Sequence, residues 1–211
     1  MKIALMNEWS QADKNPVIFK ALSQVAMKEG HDVFNVGMQH ADDHHLTYIH
    51  LGIMASLLLN SRAVDFVITG CGTGQGAMMS LNAYPGVVCG YCIEPTDAFL
   101  FSQINNGNAL SLPFAKGFGW GAELNLTNIF EKAFTGERGQ GYPRDKKDIQ
   151  NKNSAKLFDI KSCIARPYHE VLGNLEKDLL RHAVSGEEFA RCLREQNGDV
   201  QLISLVDTLI S

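Results

Sequence analysis

Nowhere in these 211 residues does an apolar run approach the ~20 residues of a membrane-spanning helix. The opening "MKIALMNEW" turns polar too soon for the apolar region of a secretory signal. No membrane partner is expected. Basic charge is also scarce: 19 Lys and Arg stand against 23 Asp and Glu, a net charge of -4. A nucleic-acid binder needs a basic face to neutralise phosphates, so that class is excluded. Two or three local cations would still suffice for a small anion. Cysteine is present without a framework: Cys71, Cys89, Cys92, Cys163 and Cys192 are odd in number and irregular in spacing. Free thiols in a reducing, cytoplasmic compartment are the simple inference. Internal repeats are absent, and no zinc-ligand spacing occurs, so neither a metal nor another cofactor is expected.

What is present is an ordinary globular composition, 45% hydrophobic and 20% charged, enough for one medium domain with or without an appendage. Short apolar runs alternate with helical patterns. "KIALM", "DVFNV", "VDFVIT", "GVVCGYCI" and "NALSL" read as five strands. Helices are expected from Pro16 to Met27, through Ile49 to Leu58, from Gly76 to Ala83, after Pro95, and from Ala122 to Phe134. The fold class is α/β: a three-layer α/β/α arrangement with a five-stranded parallel, Rossmann-like sheet. Residues 1–143 form that domain. Residues 144–211 read as a linker arm and a C-terminal helical extension. The stretch "GERGQGYPRDKKDIQNKN" is polar and lacks core periodicity, so it is expected to be an arm. Two helices should follow Pro167, the second opened by a Ser185–Glu188 capping box. Asn197-Gly198 then breaks the chain before a last apolar helix. These helices must dock on the sheet domain or on a neighbouring subunit.

In a parallel sheet, ligands bind beyond the carboxyl ends of the strands, which directs attention to "DFVITGCGTGQGAMM". A dinucleotide fingerprint needs G-x-G-x-x-G after the first strand; here Gly70, Gly72, Gly74 and Gly76 alternate after the third. A P-loop needs Lys after its last glycine, where Ala77 stands. What remains is a strand–turn–helix unit with a bare backbone. Its amides and the helix N-terminus suit an oxyanion, and the same positive potential favours a thiolate at Cys71. Cys71 is thus a nucleophile or proton-transfer base, or simply a small buried residue in a tight turn.

The turn resembles the active-site loop of the ribose-5-phosphate isomerase B and galactose-6-phosphate isomerase family. That family shows C-G-T-G-x-G after a short strand, then a helix containing Asn. Cys71-Gly72-Thr73-Gly74-Gln75-Gly76 matches, as does Asn82. Glu94-Pro95, "QINNGN" from Gln103 to Asn108, Thr47-Tyr48 and Gly136-Glu137-Arg138 continue the likeness, over Lys2 to Pro143. The resemblance implies metal-independent aldose–ketose isomerisation of a phosphorylated sugar through a cis-enediolate. Cys71 would be the base, with Thr73 beside it. The amides of Gly72, Gly74 and Gly76 would stabilise the enediolate oxygen. Tyr48, Asn105 and Asn108 would position the sugar. Lys116, Arg138 and Arg144 would hold the phosphate. A homodimer, or a tetramer, with active sites shared between subunits is implied, Arg138 reaching the partner's site. A non-catalytic sugar-phosphate binder on the same fold is the alternative.

Where the family has Asp-His after its first strand, this chain has Glu8-Trp9, and Glu8 keeps a carboxylate for moving a proton between sugar oxygens. The ring-opening histidine falls on Ile104, the final histidine on Gly139, and a family arginine on Ala115, next to Lys116. Loss of the ring-opening group points to an open-chain substrate such as a tetrose or tetrulose 4-phosphate. The alternative keeps a pentose or hexose phosphate and lets His50 or a C-terminal histidine act instead.

Other constellations carry less. Cys89 and Cys92 have thioredoxin-like spacing but lie in a β-run that points them to opposite faces. "HADDHHLTYIH" reads as a loop and pocket wall whose acids cap the next helix. In "GFGWGAE" the glycines are expected to let Trp120 pack.

Overall fold

The computed structural model describes residues 1–196 and 198–211. Five strands, β1 (Lys2–Asn7), β2 (Asp32–Asn35), β3 (Phe66–Cys71), β4 (Cys89–Tyr91) and β5 (Ala109–Pro113), form one sheet in the order β2-β1-β3-β5-β4. All four pairings are parallel. Side chains alternate across the sheet: Ile3, Leu5, Phe66, Ile68, Leu110 and Leu112 face one core, Ala4, Met6, Val67 and Cys71 the other.

The first face is covered by α1 (Asn15–Lys28), α4 (Pro95–Leu100) and α5 (Ala122–Phe134), which bury Ile18, Leu22, Ala98, Leu126 and Phe130. The second is covered by α2 (Tyr48–Asn60) and α3 (Gln75–Asn82). Helix α2 buries every residue from Leu51 to Leu58, as a helix apolar all round must. Its outer side is closed by short helices from the end of the chain: α7 (Tyr168–Gly173), α8 (Lys177–Val184), α9 (Glu187–Glu195) and α10 (Val200–Ile210). Leu172, Leu180, Phe189, Leu193 and Val206 join the same apolar cluster as α2.

The sheet agrees with the expected fold class; several local readings need correction. The polar stretch read as an arm contains most of the first half of α6 (Lys147–Ile164), an 18-residue helix with no buried residue. It is held through polar side chains instead: Ser154 Oγ donates to the Ile104 and Asn105 carbonyls, Asn151 to Gly139, and Lys161 to Asn82 and Val87. The fourth strand shrinks to Cys89–Tyr91. The helix expected just after Pro167 is two, α7 and α8. Ser185 opens no capping box; it ends α8 and donates to the His182 carbonyl, and Gly186 precedes α9. Of the break before α10, Gly198 is described and Asn197 lies outside the described residues. The loop acids do not cap α2, which Thr47 and His50 cap between them; Asp43 accepts from the Gln39 amide. Trp120 does not pack: it is fully exposed. Cys89 and Cys92 do face opposite cores.

Candidate active site

The strand order reverses between β1 and β3, and the crevice at such a reversal is where doubly wound sheets bind ligands. Asn7 stands beside Gly70 in the register, and Cys71 beside Pro113. Glu8, one step past β1, therefore leaves the sheet next to Cys71, with strands about 4.8 Å apart.

The turn after β3 is fixed from several sides. Gly74 takes φ +72, and a Cβ there would lie 2.8 Å from both Leu112 C and a Tyr91 ring carbon, so only glycine fits. Ser111 Oγ donates to the Gly74 carbonyl at 2.6 Å, and Tyr91 OH to the Thr73 carbonyl at 2.8 Å. Cys71 is buried with Sγ 4.0 Å from Thr73 Oγ1, which accepts from the Gln75 amide at 3.3 Å. The Gly72 and Thr73 amides meet no acceptor among the described residues. Two unclaimed donors thus flank a thiol, an arrangement able to stabilise negative charge on an incoming oxygen. Tyr48, exposed at the start of α2, lays its ring over Gly76, 3.3 to 3.4 Å from the position of a Cβ.

Glu8 is buried and caps the short 3-10 turn Trp9–Lys14, accepting from the Ser10 amide and hydroxyl. Ser10 Oγ accepts from Gln11 Nε2, and Gln11 Oε1 from Lys14 Nζ at 2.6 Å. Gln11 and Lys14 carried no local signal in the sequence; they matter because the 3-10 turn folds back over the reactive turn.

The remaining predicted residues are not gathered there. Lys116 follows β5 at the carboxyl edge, exposed. Asn105 ends the π-helical turn Phe101–Asn105 and is exposed. Asn108 accepts from the Val88 amide and donates to Gly86. Arg138 donates to Asn106 Oδ1 and the Gly107 carbonyl and lies over Phe66, the first residue of β3, 4.6 Å from the ring centre. Phe66 and Cys71 are five residues apart on one strand, so Arg138 and the thiol are separated by about 16 Å along the sheet. Burial lowers the Arg138 pKa to about 10. Arg144 is exposed beside a cavity of about 570 Å³ that Gln103, Glu137 and Tyr142 also line. One chain therefore presents two separate sets, one at each edge of the sheet.

Four histidines collect beside the first set. His182 of α8 packs 4.8 Å from His50 and 6.1 Å from His44, and its Nε2 meets the His45 carbonyl. His45 stacks on Trp9 at 5.1 Å. Burial first, then the charges of His182, His45 and His44, bring the His50 pKa down to about 4. Among the described residues no group of three or more potential ligands is arranged to hold a metal.

The ribose/galactose isomerase family model matches residues 3–145. The chain belongs to that family. Its full-length likeness extends further. A ribose-5-phosphate isomerase from Vibrio parahaemolyticus is 58% identical, over 99% of both chains, with a TM-score of 0.96. A 4-deoxy-L-threo-5-hexosulose-uronate ketol-isomerase, solved with a tartrate, is 48% identical over 100% of this chain and 99% of that one, TM-score 0.95. The type B ribose 5-phosphate isomerase of Trypanosoma brucei shares the fold at 16% identity, covering 75% of this chain and 97% of its own, TM-score 0.63. No curated protein matches. This ribose/galactose isomerase is an aldose–ketose isomerase. No described helix is long and apolar enough to cross a membrane.

Proposed function

We propose that this isomerase acts on an open-chain acidic sugar, a 4-deoxy-hexosulose uronate, with Cys71 as the base. The carrying observation is Ile104 at the position of the family's ring-opening histidine, a side chain with no proton to give. A 4-deoxy-5-keto sugar has no hydroxyl at C4 or C5 with which to close a ring on its C1 aldehyde. It therefore needs no ring-opening acid. The 48% identical ketol-isomerase supports the same substrate. The internal engagement of Arg138, with Nε and Nη2 committed to its own chain, weakens the case for a phosphate clamp.

In this reading the Cys71 thiolate removes a proton from the carbon beside the carbonyl and returns it to the neighbouring carbon. The Gly72 and Thr73 amides hold the cis-enediolate oxygen, where stabilisation is worth most. Thr73 Oγ1 steadies the thiol, Glu8 moves the proton between the two oxygens, and Tyr48 bounds the pocket over Gly76. Asn105, Arg138 and Arg144, at the far edge, serve the site only across a subunit boundary. The exposed apolar stripe Ile149, Leu157, Ile160 and Ile164 of α6 supports pairing of two copies.

The 58% identical relative favours a second reading, a pentose phosphate, and the short open-chain sugar phosphates form a third arm of one test. Proton NMR in D2O would follow the uronate, ribose 5-phosphate and erythrose 4-phosphate with wild type and Cys71→Ala. Deuterium entering C1 or C2 of the uronate fastest, with wild type alone, is expected. Faster exchange with either phosphate overturns the substrate reading, and exchange surviving in Cys71→Ala overturns the base.

A further inference from the structure

The second inference rests on the proposed reaction and concerns the substrate's acidic end. Three cations were expected to hold it, and none is built for the task within the chain that carries the thiol. Arg138 lies at the opposite edge of the sheet, its Nε and Nη2 bonded within its own chain and its Nη1 buried there. Arg144 lies beside the separate cavity with Tyr142. Lys116 is at the correct edge, but no hydrogen bond or ion pair holds its ammonium among the described residues.

A different lysine is held in place. Lys14 Nζ donates to the Phe114 carbonyl at 2.6 Å and to Gln11 Oε1 at 2.6 Å. Both partners touch the reactive turn. The Phe114 amide donates to the Cys71 carbonyl at 3.0 Å. Gln11 Nε2 stands 3.7 Å from where a Cβ on Gly72 would be. The Phe118 ring covers one side of the ammonium, its centre 4.9 Å away. An ammonium has three N–H groups, so one remains after these two bonds. Among the described residues Lys14 forms no ion pair. Burial lowers its pKa, and a bound anion would favour the charged form.

We propose that Lys14 receives the acid group of the substrate, fixing the end of the chain remote from the carbons that exchange their proton at Cys71. The neutral Gln11 amide lies between the cation and the turn. It relays position rather than charge, so the thiol is not simply paired with the ammonium. A compact point charge accepts a carboxylate and a phosphate alike. The chemistry that Lys14 reads is therefore a terminal oxyanion.

The test uses full-length protein with Lys14→Met and Lys14→Arg, the acidic sugar, and its neutral C6-alcohol counterpart. Losing one charge-assisted contact is expected to raise KM for the acid about tenfold, with kcat changed far less, since such contacts are worth about 1.5 kcal/mol or more. Lys14→Arg should restore most of the loss. The neutral counterpart should show no difference between wild type and Lys14→Met. Calorimetric titration with tartrate and with inorganic phosphate reads the same site without turnover, and both affinities should fall in Lys14→Met. Equal losses for acid and neutral sugars, or unchanged tartrate and phosphate affinities, overturn the assignment. Should Lys14→Met fail to fold by circular dichroism, Lys14→Gln, which keeps a donor to Phe114, replaces it. A wild type that turns over no acidic sugar defeats the substrate reading alone, because the titrations still decide the role of Lys14.

Discussion

Replacing Gly74 by Ala tests whether the reactive turn is built as tightly as its contacts indicate. Two costs add. Holding a residue with a Cβ at φ +72 costs about 1 to 2 kcal/mol. The new methyl would meet Leu112 C and Tyr91 Cε2 at 2.8 Å and Leu112 O at 2.9 Å, and two of these are backbone atoms that cannot turn aside. Overpacking of that kind costs about 1 to 3 kcal/mol. A loss of about 2 to 5 kcal/mol is therefore expected. With a urea m-value of about 2 kcal/mol/M, the unfolding midpoint moves down by about 1 to 2.5 M. Gly72→Ala is the matched control: its Cβ would meet only Ala115 Cβ and Gln11 Nε2, both at 3.7 Å, so its unfolding free energy should stay within about 0.5 kcal/mol of wild type. It nevertheless places a methyl beside the two unclaimed amides and should slow isomerisation. Urea unfolding followed by circular dichroism, with deuterium exchange on the folded proteins, separates the effects. Equal midpoints for Gly74→Ala and wild type would refute the argument.

Acid should weaken the protein through its histidines. His50 titrates near pH 4 when folded against an ordinary value of 6.5, and His44 is lowered too. The unfolded chain therefore binds more protons in that window, and stability present above pH 6.5 is lost as the pH falls towards 4; in His50→Gln, urea midpoints across that range should flatten. Thiol labelling of the native protein should find exposed Cys163 first. Burial pushes Cys89, Cys92 and Cys192 up to about 12, so fast labelling of any of these would contradict the packing. Trp120→Ala should change the unfolding free energy by no more than about 0.5 kcal/mol, since its side chain is fully exposed.

Much of the sheet was legible because its strands are short apolar runs bounded by turn residues. Helix α5 was read with its observed ends, since its periodicity is clean. Helix α6 was not, because its anchors are Ser154, Asn151 and Lys161 bonding to distant carbonyls, contacts that leave no mark in the local sequence. In the candidate site, the glycine turn carries a local signal, whereas Glu8 was placed by the family resemblance. Gln11 and Lys14 carry no such signal: their meaning depends on Phe114, 100 residues beyond Lys14. The partnership of His50 with His182 spans a similar gap. Arg138 was placed by its motif alone, and only the folded chain reveals how it is occupied.

Both tryptophans sit outside the two cores, Trp9 half-exposed against His45 and Trp120 bare on the loop after β5. Trp9 follows the end of β1 and Trp120 lies in the loop that follows β5, so both belong to segments leaving the carboxyl edge of the sheet. Native emission should accordingly be red and readily quenched by acrylamide. Its change on unfolding should be small, which would make fluorescence a poor thermometer of this fold. For the same reason it is a selective one for the crevice: a spectral shift on adding tartrate would come from the carboxyl edge, with no core indole to dilute it.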